Sequence, residues 1–317
     1  MTHLVSVLIP VYNRESIIAE TIQSALNQTY INIEVIVVDN ASTDKSWQVI
    51  QSFVKKDSRI KAFRNETNLG PVRNWLRCVE EATGVYGKIL WSDDLIAPDF
   101  IEKTLPLFNE DVGFVYSGAN IFAGENPLEA KTSYLLPKTG HYASSIYIKK
   151  AIFDKGMPVS PGCAIFRMSD IRKNLWLQVP NKVNSDFSIH AIGNDLLLFL
   201  LTANEYKYFG HVSKPLSFFR EHDGSISVSS SNGKLPLHYG LARAYFVENY
   251  QPKLKACFAS YLQLLLLRYK DSKIYGLESI QDFFQEKVKL NKFCLVKEVV
   301  FRAIRLSKRV FKILISK

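Results

Sequence analysis

Over the first hundred residues, near-continuous apolar runs alternate with segments of helical spacing. "LVSVLIPVYN" (4–13), "EVIVVDN" (34–40), "RIKAFR" (59–64) and "GKILWS" (87–92) read as strands. Between them Ile18, Ile22, Ala25 and Leu26 recur at helical spacing in "ESIIAETIQSALNQT". "DKSWQVIQSFVKK" (44–56) gives a second helix, and Val72, Trp75, Leu76 and Val79 mark a third over 71–82. "PDFIEKTLPLF" (98–108) gives a fourth, with proline in its first turn. Strands without polar alternation are covered on both faces, so the order β-α-β-α-β-α-β-α predicts a parallel sheet between helices. Ligands bind such sheets outside the carboxyl ends of the strands. "PVYN", "VDN" and "WSDD" all fall there, which gathers Tyr12, Asp39, Asp93 and Asp94 along one edge.

Residues 113–228 carry less pattern. "GFVYSGANIF" reads as a strand, 124–145 as a polar loop, and "SPGCAIFRMSDIRK" as a short strand entering a helix. "GNDLLLFLLTAN" (193–204) is a capped helix, and "YKYFGHVSKPLSFFREHDGS" a pair of strands before a turn. From 235 the chain becomes helical, so a boundary is expected near "SVSSSNGK" (227–234). This gives a first domain over 1–230, read in two parts, 1–110 and 111–230. A helical region follows over 231–317.

With 317 residues, 47% of them hydrophobic and 22% charged, the chain has the material for a large core. No apolar run reaches membrane-spanning length, and no signal peptide is read before the first strand. The four cysteines (Cys78, Cys163, Cys257, Cys294) lack metal-type spacing and read as free thiols of a reducing, cytoplasmic compartment. The net charge is +10, yet ten bases and one acid lie in 287–317, so about +9 sits in that segment. There Val296, Val300, Ile304, Phe311 and Leu314 fall near one helical face, with most of the bases elsewhere. A basic amphipathic helix over 288–317 suits an anionic membrane surface, the alternative being a helix docked on the body of the protein. No nucleic-acid reading motif accompanies it.

Two adjacent acids at a strand end must stay hydrated or find a cation. Asp93 and Asp94 read either as a solvated turn preceding a helix or as a site for a divalent cation chelating a diphosphate. Asp39 suits a ribose or base contact, while Thr43 and Asp44 are ordinary caps. Arg73, in "NLGPVRN", is either a turn residue or a contact to phosphate or sugar. Asp195, at a helix start, is a cap or a general base. His222 lies in a polar turn. Dinucleotide-type and Walker-type glycine loops and the G-x-S-x-G elbow are absent, which argues against dehydrogenases, P-loop NTPases and α/β-hydrolases.

The order of these segments, from "SVLIPVYNRESIIAETIQSALNQTY" through "EVIVVDNASTD", "NLGPVRNW", "GKILWSDDLIAPDF" and "GND" to "FREHDGSIS", resembles the family 2 glycosyltransferases. The resemblance covers roughly 4–228, and implies that 1–230 is a catalytic domain with nucleotide-sugar binding in 1–110 and the acceptor side in 111–230. It implies an α/β GT-A fold: a Rossmann-like, mostly parallel sheet flanked by helices, here with a helical C-terminal extension. It implies inverting transfer from a nucleotide-diphosphate sugar, a UDP-sugar first among them, to a glycan or lipid-linked glycan in surface polysaccharide or lipopolysaccharide biosynthesis. By this likeness Pro10, Tyr12, Asn13, Asp39 and Arg73 border the nucleoside. Asp93 holds the ribose or sugar, Asp94 and His222 hold Mn²⁺ or Mg²⁺, and Asp195 is the catalytic base. Trp91 stands where many members have an acid, so a non-catalytic sugar-nucleotide-binding scaffold with a degenerate metal site is the alternative. A nucleotidyltransferase is disfavoured, since "PVYNRES" is not its glycine-rich basic loop.

Overall fold

The structure is a computed structural model describing residues 2–123, 130–222, 224–225, 230 and 232–315, with side chains as far as Ile304. It divides into two compact units, Met1–Val179 with Asp186–Ser229 and Pro180–Ser185 with Ser230–Lys317. Half of the "SVSSSNGK" stretch (227–229 and 231) lies outside the described residues.

In the first unit, β1 (Val5–Val11), β2 (Ile33–Asp39), β3 (Ile60–Arg64) and β4 (Tyr86–Ile89) pair in parallel, in the order β3-β2-β1-β4. They are linked by α1 (Ile18–Leu26), α2 (Ser46–Val54) and α3 (Pro71–Glu81). Every residue of β1 and β2 is buried, which accounts for their near-continuous apolar sequences, broken only by Ser6, Glu34 and Asp39. Pro10 is tolerated in this central strand because β4 pairs β1 only as far as Leu8–Ile89, leaving Pro10 beside Val38 of β2 alone.

The rest of the sheet is mixed. It is built from β5 (Leu95–Ile96), β6 (Val112–Ala123), β7 (Lys131–Ser133), β8 (Gly140–Ala143), β9 (Ala164–Arg167) and β10 (Tyr208–Glu221). The order continues β4-β9-β6-β10-β5, with β7 on β6 and β8 on β10. β9 runs antiparallel to both its neighbours, whereas β6 and β10 are parallel. Two expectations change here. The loop 124–145 contributes β7 and β8, and the expected pair of strands is the single strand β10. Its register shifts on either side of Pro215, where the missing N–H breaks the ladder without ending it. Helices α4 (Phe100–Thr104), α5 (Ser144–Ile152), α6 (Met168–Asn174), α7 (Phe187–His190) and α8 (Asn194–Glu205) complete the unit.

The second unit contains α9 (Lys234–Tyr250), α10 (Lys255–Arg268) and α11 (Lys292–Ile315). Gly240 of α9 lies where a Cβ would meet Phe283 at 3.0 Å and Leu262 at 3.2 Å, so its lack of a side chain permits that packing. Cys257 and Cys294 form a disulfide between α10 and α11, with Cα atoms 5.3 Å apart. This corrects the expectation of four free thiols: only Cys78 and Cys163 are free, and both are buried. The pairing spans 37 positions, so no local spacing announces it, and the reducing compartment read from the cysteines loses its basis. Among the described residues no helix is long and apolar enough to cross a membrane.

Candidate active site

The loops that follow β1 and β2 are stitched to each other. Asn13 takes a positive φ of 51°, and its amide donates to Ser42 Oγ (2.9 Å). Its own Oδ1 accepts from the Thr43 amide (2.9 Å), and the Arg14 amide donates to Ser46 Oγ (2.7 Å). Asp39 ends β2 fully buried beneath these loops. Its carboxylate accepts from the Ser42 hydroxyl and amide and pairs with Arg64 Nε at 3.0 Å. Tyr12 stands half exposed at the same edge. An amide network lies alongside. Asn40 Oδ1 accepts from Asn65 (2.9 Å) and the Leu69 amide (3.0 Å), while Asn65 also donates to Asn74 of α3 (3.0 Å). The network fixes the loop entering α3. Arg73 of that helix donates to Ser188 Oγ of α7 (3.1 Å), which itself donates to Asp186.

The acid pair sits in the turn between β4 and β5. The Leu90 amide still donates to Leu8, and the Asp94 amide closes the turn on the Trp91 carbonyl (3.0 Å). β5 then pairs antiparallel with Ser217 and Phe218 of β10, which brings the end of β10 over the turn. The Arg220 amide donates to Asp94 Oδ1 (3.0 Å), and its guanidinium reaches the Asp93 carbonyl (3.3 Å) and Glu20 Oε2 (2.5 Å). His222 Nε2 lies 2.9 Å from Asp93 Oδ2, and Arg14 approaches the same oxygen at 3.7 Å. Thus Asp93, Asp94 and His222, expected from the sequence, are brought to one place.

Burial, and then the neighbouring Asp93 charge, push the Asp94 carboxyl well above the usual carboxylate range. A fully buried cation that acts on it is Lys88 of β4, whose Nζ donates to the carbonyls of Ile89 and Gly162 and sits 4.7 Å from the Phe100 ring centre. Burial lowers its pKa to about 7. A carboxyl held this way ionises when positive charge is brought to it. Two adjacent carboxylates suit a hard divalent cation that keeps places for phosphate oxygens, so the residues fit one. Among the described residues no group of three or more His, Cys, Asp or Glu forms a complete cage.

Trp91 is anchored rather than loose. Its Nε1 donates to Ser160 Oγ (2.8 Å) and its ring meets Trp75 at 4.6 Å. Gly162, in the turn Pro161–Cys163, faces it so closely that a Cβ would lie 3.1 Å from the indole. Asp195 occupies the first turn of α8, after Gly193 with φ 115°. Its Oδ1 accepts from the Gly193 (3.1 Å) and Leu196 (2.8 Å) amides, which orients the carboxylate, and the residue is largely buried.

Sequence reading missed Arg14, Arg64, Lys88, Ser160 and Arg220. Arg220 had a usable signal in "R-x-H". Lys88 had one too, as a charge inside an otherwise apolar strand.

Comparison with known proteins follows this geometry. The family model described as glycosyl transferase family 2 matches residues 6–175. A Haemophilus influenzae protein named only as an uncharacterised glycosyltransferase is 46% identical over 102 residues, covering 32% of this chain and 41% of that protein. The putative teichuronic acid biosynthesis glycosyltransferase TuaG of Bacillus subtilis is 35% identical over 128 residues, covering 40% and 51%. The chain thus spans about half, or less, of the length of these curated relatives. Residues 1–349 of Staphylococcus aureus TarS, solved in complex with UDP-GlcNAc, superpose with a TM-score of 0.64 at 18% identity, covering 87% of this chain and 76% of that one. That likeness shows a shared fold, the GT-A fold.

Proposed function

Because the chain belongs to glycosyl transferase family 2, we propose that it transfers a sugar, with inversion, from a nucleotide-diphosphate sugar to a hydroxyl of a glycan or lipid-linked glycan. The observation carrying this reading is the buried Asp94 carboxyl beside Asp93 and His222 at the carboxyl edge of a parallel sheet. That TarS was solved with UDP-GlcNAc supports a UDP-sugar as donor. The name of TuaG supports an acceptor in cell-surface polysaccharide assembly.

In this account the nucleoside lies across the loops after β1 and β2, between Pro10, Tyr12, Asn13 and Asp39, with Arg73 at the border. Asp93 holds the ribose or sugar. Asp94 and His222 would hold Mn²⁺ or Mg²⁺, which when bound would supply charge against the leaving diphosphate. The acceptor oxygen attacks the anomeric carbon as the bond from that carbon to the diphosphate oxygen breaks. The hydroxyl proton passes to Asp195, whose orientation by two backbone amides prepares it as the base.

A second reading, a non-catalytic sugar-nucleotide-binding scaffold, draws on the lack of a complete ligand cage among the described residues. Asp195→Asn separates the two. The first reading expects donor binding to persist while transfer to a glycan acceptor is lost. Transfer undiminished in that variant removes Asp195 as the base, and binding without transfer in the wild type favours the scaffold.

A further inference from the structure

Helix α11 presents two unlike faces. One is packed and half-buried. Cys294 is bonded to Cys257, Arg302 stacks over the Tyr261 ring at 5.1 Å and pairs with Glu298 at 3.1 Å, and Leu295 and Phe301 are partly covered. The other face is apolar and open to solvent. Phe293 is 76% exposed, Val296 62%, Val300 51% and Ile304 51%. These positions are three or four residues apart, so they form one stripe along the helix. Soluble surfaces carry single exposed apolar residues without consequence, but a continuous stripe marks a contact surface.

Charge identifies the partner. Lys292 and Lys297 are exposed on the same open side, and the sequence of the remaining helix adds Arg305, Lys308, Arg309 and Lys312 with no acid among them. A surface that takes an apolar stripe and a dense positive charge together is an anionic bilayer interface. A nucleic acid would satisfy the charge and leave the stripe in water. A second copy of the helix would cover the stripe and oppose like charges.

We infer that α11 lies in the interface of an anionic membrane, its stripe Phe293–Val296–Val300–Ile304 in the acyl boundary and its lysines and arginines among the headgroups. This goes beyond the proposed transfer reaction and does not rest on it. The length of the helix, 24 residues, suits attachment along the surface.

The test sediments the full chain with vesicles of phosphatidylcholine alone and of phosphatidylcholine mixed with phosphatidylglycerol, in low and high salt. The chain is expected with the anionic vesicles only, and less so as salt screens the attraction. Phe293→Glu and Val296→Glu, both at solvent-facing positions, are each expected to lower the partition about tenfold. Unchanged thermal unfolding and nucleotide binding in these variants separate this outcome from any failure of the transferase reading. Absence of binding, equal binding to both vesicle types, or unaltered binding by the variants overturns the inference. So does a vesicle-free dimer that Phe293→Glu converts to a monomer, which assigns the stripe to a second copy.

Discussion

His222 Nε2 lies 2.9 Å from Asp93 Oδ2 across 129 positions of sequence. The contact exists because β10 returns beside β5 and sets its last residues over the turn that holds the acid pair. Removing the imidazole takes away the closer partner of Asp93 Oδ2 and leaves Arg14 at 3.7 Å. His222→Ala is expected to weaken nucleotide-sugar binding about tenfold in the presence of Mn²⁺, with little change in thermal unfolding. Calorimetric titration of wild type and variant measures it, and equal affinities would separate His222 from the site.

Lys88 is expected to tune Asp94. Its positive charge opposes the upward push that burial and Asp93 give the Asp94 carboxyl. In Lys88→Met that carboxyl rises further, so less of it is ionised at neutral pH. Affinity for the cation–nucleotide pair should fall about tenfold at neutral pH, and should recover as pH is raised. A titration of affinity against pH reads this directly; identical profiles for both proteins would contradict it.

The sequence made the first four strands and the acid pair legible, because buried parallel strands leave near-continuous apolar runs, clearest in β1 and β2, and their carboxyl ends are where polar residues appear. It left β7, β8 and the single strand β10 illegible. β7 and β8 are three- and four-residue strands set within polar sequence, and Pro215 makes β10 look like two. Lys88 and Arg220 escaped notice for another reason. Each carried a local signal, as a charge in an apolar strand and as the arginine of "R-x-H", but their partners are a carbonyl 74 positions away and carboxyl groups 126 and 200 positions away, which only the fold brings near. Asp39 stood out at the end of its strand, but its bonds from Ser42 and its ion pair with Arg64, 25 positions on, did not.

Glu34 should make the protein acid-sensitive. It is buried in β2, bonded to Ser6 Oγ (2.6 Å), Lys61 Nζ (2.8 Å) and the Thr83 amide (2.7 Å). Burial alone would raise its pKa, but the bonds from Lys61, Ser6 and Thr83 more than offset that and bring it to about 2 from the ordinary 4.5. A folded value below the unfolded one stabilises the fold above pH 4.5 and is lost as pH falls toward 2. Discounted for the solvent that reaches its half-exposed partner Lys61, the contribution is on the order of 1–2 kcal/mol. Glu34→Gln is therefore expected to be less stable at neutral pH, with the gap to wild type closing in acid. Urea unfolding at the two pH values measures it.

The disulfide predicts a labelling pattern. Denatured without reductant, the chain should take up a thiol reagent at Cys78 and Cys163 alone, and after reduction also at Cys257 and Cys294. Mass spectrometry of the labelled chain counts the additions. Labelling of all four before reduction would break the α10–α11 link.

The most direct test of the account is calorimetric titration of the chain with UDP, GDP, dTDP and CDP, with and without Mn²⁺, in wild type and Asp94→Ala. The account predicts Mn²⁺-dependent binding of one nucleotide, UDP, weakened about tenfold or more in Asp94→Ala. Binding of none of the four with Mn²⁺ present, or equal binding by Asp94→Ala, would contradict it.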